Sequence, residues 1–427
     1  MYSKGMLKVH FHSDCGYFAG CENMLPPLFS ELSKNQEFQT TFSYRYSYKY
    51  EQGLRKKVER KFSEYPRNYL DLGERSKYPA WLPAFLGWLF LRFWIVVGLP
   101  ILLVYQIFDL YLLLRKLRPD VLHVNNGGYP AATSARAAII AGKLCGIPLK
   151  IMVVNNLAQD YKSIYRFMDY PLDRLVSIFT DVFVTGSQSA MLKLRSVLGL
   201  PERKTLVIPN GIIGPTSYSV YSTPEYKNYR TFTGVTFSII AELVPRKGHI
   251  YLLEAVKMLR DSEVINRMDF KLLVVGEGPL YSELNKYTLE NKLEELVFFE
   301  GYLDDIFEIL ERTDVVILPS IGYEDFPYVV LEGMSMAKPI IGSFVAGIPE
   351  QIDHQVTGLL VSPKNVMELA RAIEVLHTQP LTRKIFGTKG REKFLASFTS
   401  KIAVEKYCQL YRSAIGLRKE KRGKVKH

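Results

Sequence analysis

The feature that most limits the possible folds is an alternation of short apolar runs and helix-like segments, which occurs twice along the 427 residues. Apolar runs of four to six residues bounded by glycine or polar residues are typical of strands buried in a parallel sheet. The predicted strands are 7–11, 120–124, 150–154 and 181–185 in the first half, and 236–240, 271–275, 297–299 and 315–318 in the second. Strands that alternate with helices form α/β domains, so the sequence predicts two of them.

The two series are separated by a polar segment, 214–229, which is rich in Ser, Thr, Tyr and Pro and has no apolar period. We therefore predict an N-terminal Rossmann-like domain over 1–210, a linker over 211–232 and a second Rossmann-like domain over 233–399. Residues 400–427 are predicted to form a helix that packs back on the first domain, followed by a basic tail. The predicted fold class is α/β, with the two domains facing each other across a cleft.

The opening strand is followed by a loop containing Gly20 and by a helix predicted over about 23–35. This order is typical of a Rossmann unit, in which glycine lets the backbone approach a ligand. The loop lacks the GxGxxG pattern of dinucleotide-binding oxidoreductases, which argues against that class. The tyrosine-rich, basic stretch 44–78 is interpreted as a loop with a short helix around Leu54–Phe62.

The net charge of +12 indicates an anionic partner. No nucleic-acid-binding module is recognisable, so nucleic acid is not expected. The basic residues concentrate in 45–77 and 418–426, where they would favour an anionic membrane surface. The four cysteines show no metal-ligand spacing and are expected to be reduced thiols in a cytosolic protein. No signal peptide is apparent.

The most apolar part of the chain is 81–114, where the 16 residues 93–108 carry no charge. A spanning helix needs about 20 apolar residues, so a membrane span is not favoured. Residues 101–117 are interpreted as a core helix. The aromatic segment 81–100 is predicted to associate with one leaflet of a membrane, and internal packing remains the alternative.

A pair of carboxylates marks the stretch 320–336. Glu324 lies in the loop after a buried strand, and Glu332 lies within the following helix, whose first turn contains Pro327. A helix N-terminus between two carboxylates would suit a sugar nucleotide, with the phosphate at the helix end. The alternative is a loop glutamate and a solvated helix glutamate with no shared role.

Arg246 and Lys247 lie in the loop between the first strand and first helix of the second domain. Two cations there would form a clamp for a diphosphate, unless they are a solvated basic turn. Gly276, in a Gly-Glu-Gly-Pro loop, would let the backbone pass close to a base or ribose.

Six motifs occur in the order found in one enzyme family: Ile208-Pro-Asn-Gly, Arg246-Lys-Gly, Gly276-Glu-Gly-Pro, Glu324 to Glu332, Gly347-Ile-Pro-Glu and Thr357-Gly-Leu. This set resembles the GT-B retaining glycosyltransferases of family 4, whose paired glutamates form the EX7E motif. In the first domain, the resemblance depends on Gly20 with Glu22 and on Asp120 to His123.

The resemblance implies a role for each matched residue. Glu332 would accept hydrogen bonds from the ribose, and Glu324 would hold the donor sugar and its phosphates together with Phe326, Pro327 and Tyr328. Lys247, helped by Arg246, would stabilise the leaving diphosphate. Gly20 and Gly276 would line the donor site. The resemblance also implies that no cofactor or metal is needed.

The chain departs from the family pattern at two positions. Glu242 stands where the family usually has arginine, five residues before Lys247. Asn155 aligns with a frequent histidine, and an amide can position a sugar but cannot carry a proton. Asn155 and His123 are therefore the candidate residues for the acceptor side of the cleft.

The predicted function is retaining transfer from a UDP- or GDP-sugar to a membrane-presented acceptor, with a lipid-linked oligosaccharide of bacterial surface polysaccharide (O-antigen, capsule or exopolysaccharide) as the expected acceptor. Such an enzyme would be cytoplasmic and peripherally associated with the inner face of the cell membrane. The alternative is a non-catalytic sugar-nucleotide-binding protein of the same fold. The sequence leaves open the donor base, the sugar, the acceptor linkage and the oligomeric state.

Overall fold

The computed structural model describes residues 6–18, 20–58, 62–69, 86, 97–215, 232–303, 305–322 and 324–424. Of the segment 81–100 that we expect at a membrane, residues 81–85 and 87–96 lie outside the described residues. The chain divides into two compact units. The first contains Met1–Gly186, Ala190–Ile208 and Val404–His427, and the second contains Ser187–Ser189 and Pro209–Ala403.

The first unit contains a parallel sheet of seven strands in the order β3-β2-β1-β4-β5-β6-β7. The strands are β1 (Leu7–Ser13), β2 (Phe38–Arg45), β3 (Ser63–Arg67), β4 (Val121–Asn126), β5 (Leu149–Val154), β6 (Val182–Thr185) and β7 (Thr205–Val207). The strand order reverses direction between β1 and β4. In an open parallel sheet, ligands bind beyond the carboxyl ends of the strands at such a reversal.

The helices between these strands are α1 (Leu25–Lys34), α2 (Tyr48–Lys57), α3 (Leu99–Leu117), α4 (Thr133–Leu144), α5 (Ile164–Met168), α6 (Tyr170–Phe179) and α7 (Gln188–Leu198). The central strands β4 and β5 are buried along their whole length, as their apolar sequences require.

The second unit contains a parallel sheet of six strands in the order β10-β9-β8-β11-β12-β13. The strands are β8 (Val235–Ile240), β9 (Phe270–Val275), β10 (Val297–Gly301), β11 (Val315–Leu318), β12 (Ile340–Ser343) and β13 (Gly358–Val361). The helices are α8 (His249–Asp261), α9 (Tyr281–Glu290), α10 (Ile306–Arg312), α11 (Tyr328–Ser335), α12 (Ile348–Gln351), α13 (Val366–Thr378) and α14 (Pro380–Ser397). The last helix of the chain, α15 (Ser400–Lys424), contributes its residues from Val404 onward to the first unit.

Each unit is thus a parallel sheet with helices in its crossover connections, and the predicted α/β class with two Rossmann-like domains is confirmed. In the second unit, the reversal of strand order lies between β8 and β11. The loops that follow these two strands carry Arg246–Lys247 and Glu324. The topology therefore brings the two predicted parts of the donor site to one edge of one sheet.

For the described residues of 44–78, the interpretation as a loop with a helix near Leu54–Phe62 is wrong; residues 59–61 and 70–78 lie outside the described part. Strand β2 reaches Arg45, helix α2 begins at Tyr48 and ends at Lys57, and β3 follows at Ser63. Ser47 caps α2 by accepting a hydrogen bond from the Tyr50 N–H. Tyr44 of β2 and Tyr50 of α2 form a buried stack, with ring centroids 5.1 Å apart. Because this contact joins two different elements, it produces no apolar period in the sequence.

Helix α3 contains the predicted core helix 101–117, but only one of its faces is buried. Leu102, Leu110, Leu113 and Leu114 pack inward, whereas Ile101, Val104 and Phe108 are exposed. The interpretation as a core helix therefore holds for one face of α3, and the other face is open to solvent. Within the part of the chain that the structure describes, every helix is too short or too polar to cross a bilayer.

Candidate functional site

Three side chains of the second unit converge on one carboxylate oxygen. The Arg246 Nη1 lies 2.9 Å and the Lys247 Nζ lies 2.5 Å from Oε1 of Glu324. The Ser320 hydroxyl donates to the same oxygen at 3.0 Å. Arg246, Lys247 and Glu324, the three residues predicted to be catalytic, therefore form one contiguous cluster. Ser320 completes it and was not predicted, although its place two residues after β11 is a usable signal.

A close contact between two loops makes this cluster possible. Arg246 and Lys247 lie in a short 3-10 turn, which ends at Gly248 in a left-handed conformation with φ of 74°. A Cβ on Gly248 would lie 2.0 Å from the carbonyl oxygen of Pro319, at the end of β11. The Ile321 N–H also donates to the Arg246 carbonyl at 2.8 Å. Only glycine fits both the backbone conformation and the approach of the two loops.

The cluster is largely shielded from water, which strengthens its electrostatics. Glu324 is 6% exposed, and the Lys247 side chain is 12% exposed. Burial lowers the pKa of Lys247, while the neighbouring Glu324 carboxylate acts in the opposite direction. The Arg246 side chain is 35% exposed and provides a more accessible positive charge. A second anion such as a diphosphate would add a favourable charge partner for both cations.

Helix α11 begins four residues after Glu324, and Pro327 lies at its N-cap. Two carbonyls just before the helix are held by amide side chains: Asn210 donates to the Phe326 carbonyl at 3.1 Å, and Gln351 donates to the Pro327 carbonyl at 3.0 Å. The first turn of a helix presents N–H groups that have no intrahelical acceptor, so its start can bind an anion. The sequence did not single out the side chains of Asn210 and Gln351.

Glu332 lies in the second turn of α11 and is half-buried. Glu324 is thus buried in the loop before α11, and Glu332 lies on the helix itself; their shared role in binding a sugar nucleotide stays a prediction. Tyr328 is the first residue of α11, and Phe326 is buried in the core beneath the loop.

The Gly276 loop packs against the loop that contains Glu242. Gly276 has φ of 134°, and a Cβ there would lie 2.1 Å from the Ala241 carbonyl oxygen. The Leu243 N–H donates to the Glu277 carbonyl at 2.9 Å. Glu242 itself is exposed, and its charge acts on Lys247 in the same direction as Glu324.

In the first unit, the loops after β1, β4 and β5 meet through amide side chains. Asn155 follows β5 directly and donates to the Asn125 Oδ1 at 3.0 Å and to the Asn126 carbonyl at 3.0 Å. Asn125 in turn donates to the Cys21 carbonyl at 3.1 Å, within the short turn that begins at Gly20. The structure thus connects Asn155 to the Gly20 loop through Asn125, which sequence reasoning missed.

His123 lies apart from this set. It is 1% exposed, its Nδ1 lies 2.7 Å from the Tyr411 hydroxyl, and its ring centroid lies 4.7 Å from that of Phe11. Burial lowers its pKa to about 3, so the ring is neutral at physiological pH. The structure therefore places His123 in the packing between β4 and α15 of the first unit, and its geometry gives no support to a role at the acceptor side.

Among the described residues, one group of side chains could hold a metal ion. Cys15, Cys21 and Glu22 have ligand atoms within 4.8 Å of one another, and the two sulfurs lie 3.4 Å apart. The Glu22 carboxylate also accepts hydrogen bonds from Ser13 and Tyr50. Burial raises the pKa of Glu22, and these hydrogen bonds oppose that shift.

Two family models match the chain on either side of the predicted linker. The model for glycosyltransferase family 4 matches residues 65–213, and the model for glycosyl transferases group 1 matches residues 234–379. Together they span more than half of the chain.

Several curated proteins are similar in sequence. An uncharacterized glycosyltransferase of Methanocaldococcus jannaschii is 28% identical over 52% of this chain and 55% of its own length. N-acetyl-alpha-D-glucosaminyl L-malate synthase of Bacillus anthracis is 33% identical over 42% of this chain and 47% of its own length. The match therefore spans only about half of these two relatives. The UDP-Gal:alpha-D-GlcNAc-diphosphoundecaprenol alpha-1,3-galactosyltransferase of Escherichia coli is 24% identical over 72% of this chain and 78% of its own length.

Two solved structures have the same fold. HepE of Anabaena, crystallised in complex with UDP, superimposes with a TM-score of 0.73 at 16% identity, over 95% of this chain and 100% of HepE. A glycosyltransferase from Rickettsia africae superimposes with a TM-score of 0.74 at 17% identity, over 96% of this chain and 99% of that protein. The two family models show that the chain belongs to the glycosyltransferases of group 1, family 4, and the solved structures show that its fold is GT-B.

Proposed function

We propose that this protein is a retaining glycosyltransferase that moves a sugar from a nucleotide-diphosphate sugar to a lipid-linked glycan acceptor in the synthesis of a bacterial surface polysaccharide. The observation that carries the proposal is the cluster of Arg246, Lys247 and Glu324. Its carboxylate, Glu324, lies four residues before the start of α11. A shielded lysine and a more exposed arginine suit the leaving diphosphate, on which negative charge grows in the transition state.

In the proposed reaction, the bond between the sugar C1 and the diphosphate oxygen breaks, and the acceptor hydroxyl forms the new bond at C1. Retention places the acceptor on the side of the leaving group, so a phosphate oxygen is near enough to take the hydroxyl proton. Lys247 and Arg246 stabilise the departing diphosphate, Glu324 positions both cations and the donor sugar, and Glu332 binds the ribose. Phe326, Pro327 and Tyr328 position the phosphates through the start of α11. We propose that no metal or other cofactor takes part.

The proposed acceptor is supported by the names of two relatives. The galactosyltransferase of Escherichia coli acts on a sugar linked to diphosphoundecaprenol, and so does a transferase of Campylobacter jejuni that is 28% identical over 64% of this chain. We propose that the present protein uses an acceptor of the same class, held in part by Asn155. It would work at the cytoplasmic face of the cell membrane with a UDP- or GDP-sugar.

The test is a donor screen with a mass-spectrometric readout. The purified protein is incubated with UDP- and GDP-sugars and diphosphoundecaprenol-linked acceptors, with and without a chelator, and the anomeric configuration of any product is determined by NMR. We expect that one nucleotide sugar serves as donor, and that its α-linked sugar stays α-linked in the product. The rate of transfer should be the same with and without the chelator.

Glu324→Ala should abolish most of this product, whereas Glu283→Ala, at an exposed position on α9, should not. Product with inverted configuration would contradict retention. Binding of a nucleotide sugar without any transfer, over the whole panel, would favour the non-catalytic alternative.

A further inference from the structure

Helix α3 carries a row of exposed apolar side chains on the face opposite to its core contacts. Ile101, Val104, Tyr105, Phe108 and Leu112 are 64, 66, 55, 60 and 50% exposed. Ile101, Tyr105, Phe108 and Leu112 are spaced three or four residues apart, and Val104 is four residues from Phe108, so all five lie along one side of the helix. The row is about 17 Å long, from the 1.5 Å rise per residue. An exposed apolar row of this length on a globular protein marks an interaction surface.

A second group of exposed apolar side chains lies on α5 and α6. Ile164, Phe167 and Met168 occupy one side of the short α5 and are 74, 63 and 53% exposed. Phe167 stacks on Tyr170 with an interplanar angle of 10°, and Ile178, two turns further along α6, is 65% exposed. Residues that pack against each other while remaining open to solvent form a coherent patch.

The two groups belong to one helical layer of the first unit. Helix α4 contacts both α3 and α6. It is rich in small residues, and eight of its 12 residues are buried, so it lies deeper than its two neighbours. The outer surface of this layer is therefore formed mainly by α3 on one side and by α5–α6 on the other.

Cations border both groups. The row on α3 ends at Arg115, Lys116 and Arg118, which are all exposed. Lys162, directly before α5, has a side chain that is 87% exposed. An apolar face bordered by lysine and arginine has the composition of a protein surface that enters the interfacial region of an anionic bilayer.

We propose that the outer surface of α3 and α5–α6 is a membrane-docking face that inserts its apolar side chains into one leaflet of an anionic bilayer. The sequence that precedes α3 favours a bilayer over a protein partner, because residues 81–96 include three tryptophans and one charged residue. The docking face itself is argued without the proposed function; only its use, access to a lipid-linked acceptor, rests on that function. Helix α5 follows Asn155 by nine residues, so a docked face would bring the acceptor side of the first unit to the lipid surface.

The test is flotation of the full chain with vesicles. Wild-type protein should float with vesicles of phosphatidylglycerol and phosphatidylethanolamine, and much less with phosphatidylcholine alone. Val104→Glu with Phe108→Glu, and separately Ile164→Glu with Phe167→Glu, should each weaken binding about tenfold or more, since a charge on an inserted face opposes insertion. Arg115→Gln with Lys116→Gln should weaken only the anionic-vesicle binding.

The matched control is Met268→Glu with Leu381→Glu, at two exposed apolar positions of the second unit that are 73 and 70% exposed. This control should float like wild type, and all variants should keep the wild-type unfolding midpoint. Flotation of both first-unit variants at the wild-type level would overturn the proposal. So would a wild-type dimer in light scattering that the same variants dissociate, because the face would then be a subunit interface. Failure of the proposed function has a different signature: intact flotation of wild type with no turnover of any donor.

Discussion

Lys247 is held between two opposing influences. Burial disfavours its ammonium form, and the Glu324 carboxylate at 2.5 Å favours it. The net effect is a pKa below that of an ordinary lysine. A cation in this state responds strongly to a further anion, because a bound diphosphate would replace lost hydration by a charge contact. This behaviour suits a residue that acts when negative charge develops on a leaving group.

The lowered pKa predicts an alkaline limit to activity. A group with a lowered pKa loses its proton at a lower pH than usual, so Lys247 should become neutral below the ordinary lysine value of about 10.4. Donor turnover (kcat/KM) should then fall as pH rises through this region. In Lys247→Arg, the guanidinium stays charged to above about pH 12, so the fall should move to higher pH even if the rate is lower. An identical alkaline fall in both proteins would contradict the assignment.

The members of the Arg246, Lys247 and Glu324 cluster could be named from the sequence, but their contacts could not. Residue type and loop position suffice to select Glu324, Arg246 and Lys247, because the carboxyl ends of strands in a parallel sheet meet at one edge. Their meeting at a single oxygen depends on the left-handed Gly248 and on its approach to Pro319, which are long-range features. His123 shows the converse: its residue type suggested chemistry, and its neighbours Phe11 and Tyr411 make it part of the core.

Among the elements, the loop that ends at Gly248 is the most sensitive to a small change. Gly248→Ala would place a methyl group 2.0 Å from the Pro319 carbonyl oxygen and would strain a φ of 74°. We expect it to separate the two loops, to reduce donor turnover strongly and to lower the free energy of unfolding by about 1–3 kcal/mol.

Gly322 provides the matched control for this prediction, since it lies in the adjoining loop and a Cβ there would meet no atom within 4 Å. Gly322→Ala should therefore leave both turnover and urea unfolding close to wild type. Equal effects of the two substitutions would show that the Gly248 contact does not hold the cluster together.

The contact between β4 and α15 should make the first unit sensitive to acid. Burial lowers the pKa of His123 to about 3, from an ordinary value near 6.5. Between these values the unfolded chain binds a proton that the folded chain does not, so stability falls as pH falls. From pH 7 to pH 5, protonation of His123 in the unfolded chain should lower the free energy of unfolding by about 2 kcal/mol.

Replacing both His123 and Tyr411 removes the contribution of His123 to the pH dependence of stability, and it leaves neither residue as an unpaired polar group. The double variant His123→Phe with Tyr411→Phe should lose about 2 kcal/mol less than wild type between pH 7 and pH 5, measured as the free energy of urea unfolding. Equal losses would indicate that His123 is not neutral in the folded protein. His10 and His12, whose pKa values burial lowers to about 3 and about 4, remain in both proteins as a common background.

The elements that sequence reasoning missed lie at the edge of the first sheet. Strands β2 and β3 are half-polar, and β3 contains a proline, so neither has the continuous apolar run that marks a central strand. Helix α2 has charged residues at half of its ten positions, and its buried residues are Tyr50 and Leu54. Edge elements depend on tertiary contacts such as the stack of Tyr44 on Tyr50, which has no local pattern in the sequence.

For the molecule as a whole, the two parallel sheets were predictable because their central strands are short, apolar and regularly spaced. The exposed apolar face of α3 was not, because an apolar helix has the same sequence pattern whether it faces a core or a lipid surface. The net charge of +12 agrees with the proposed location at an anionic membrane. Because salt screens this attraction, binding to an anionic bilayer should weaken as salt is added.

The central claim is that the second unit activates a nucleotide sugar with the cluster of Arg246, Lys247 and Glu324. The most direct measurement is the turnover number for release of the nucleoside diphosphate from the preferred donor, in the presence of acceptor. Lys247→Met should lower it about 10²- to 10³-fold, the usual cost of removing one group that stabilises developing charge. Lys286→Met, at a side chain that is 73% exposed on α9, should leave it unchanged. A turnover number for Lys247→Met equal to that of Lys286→Met would contradict the claim.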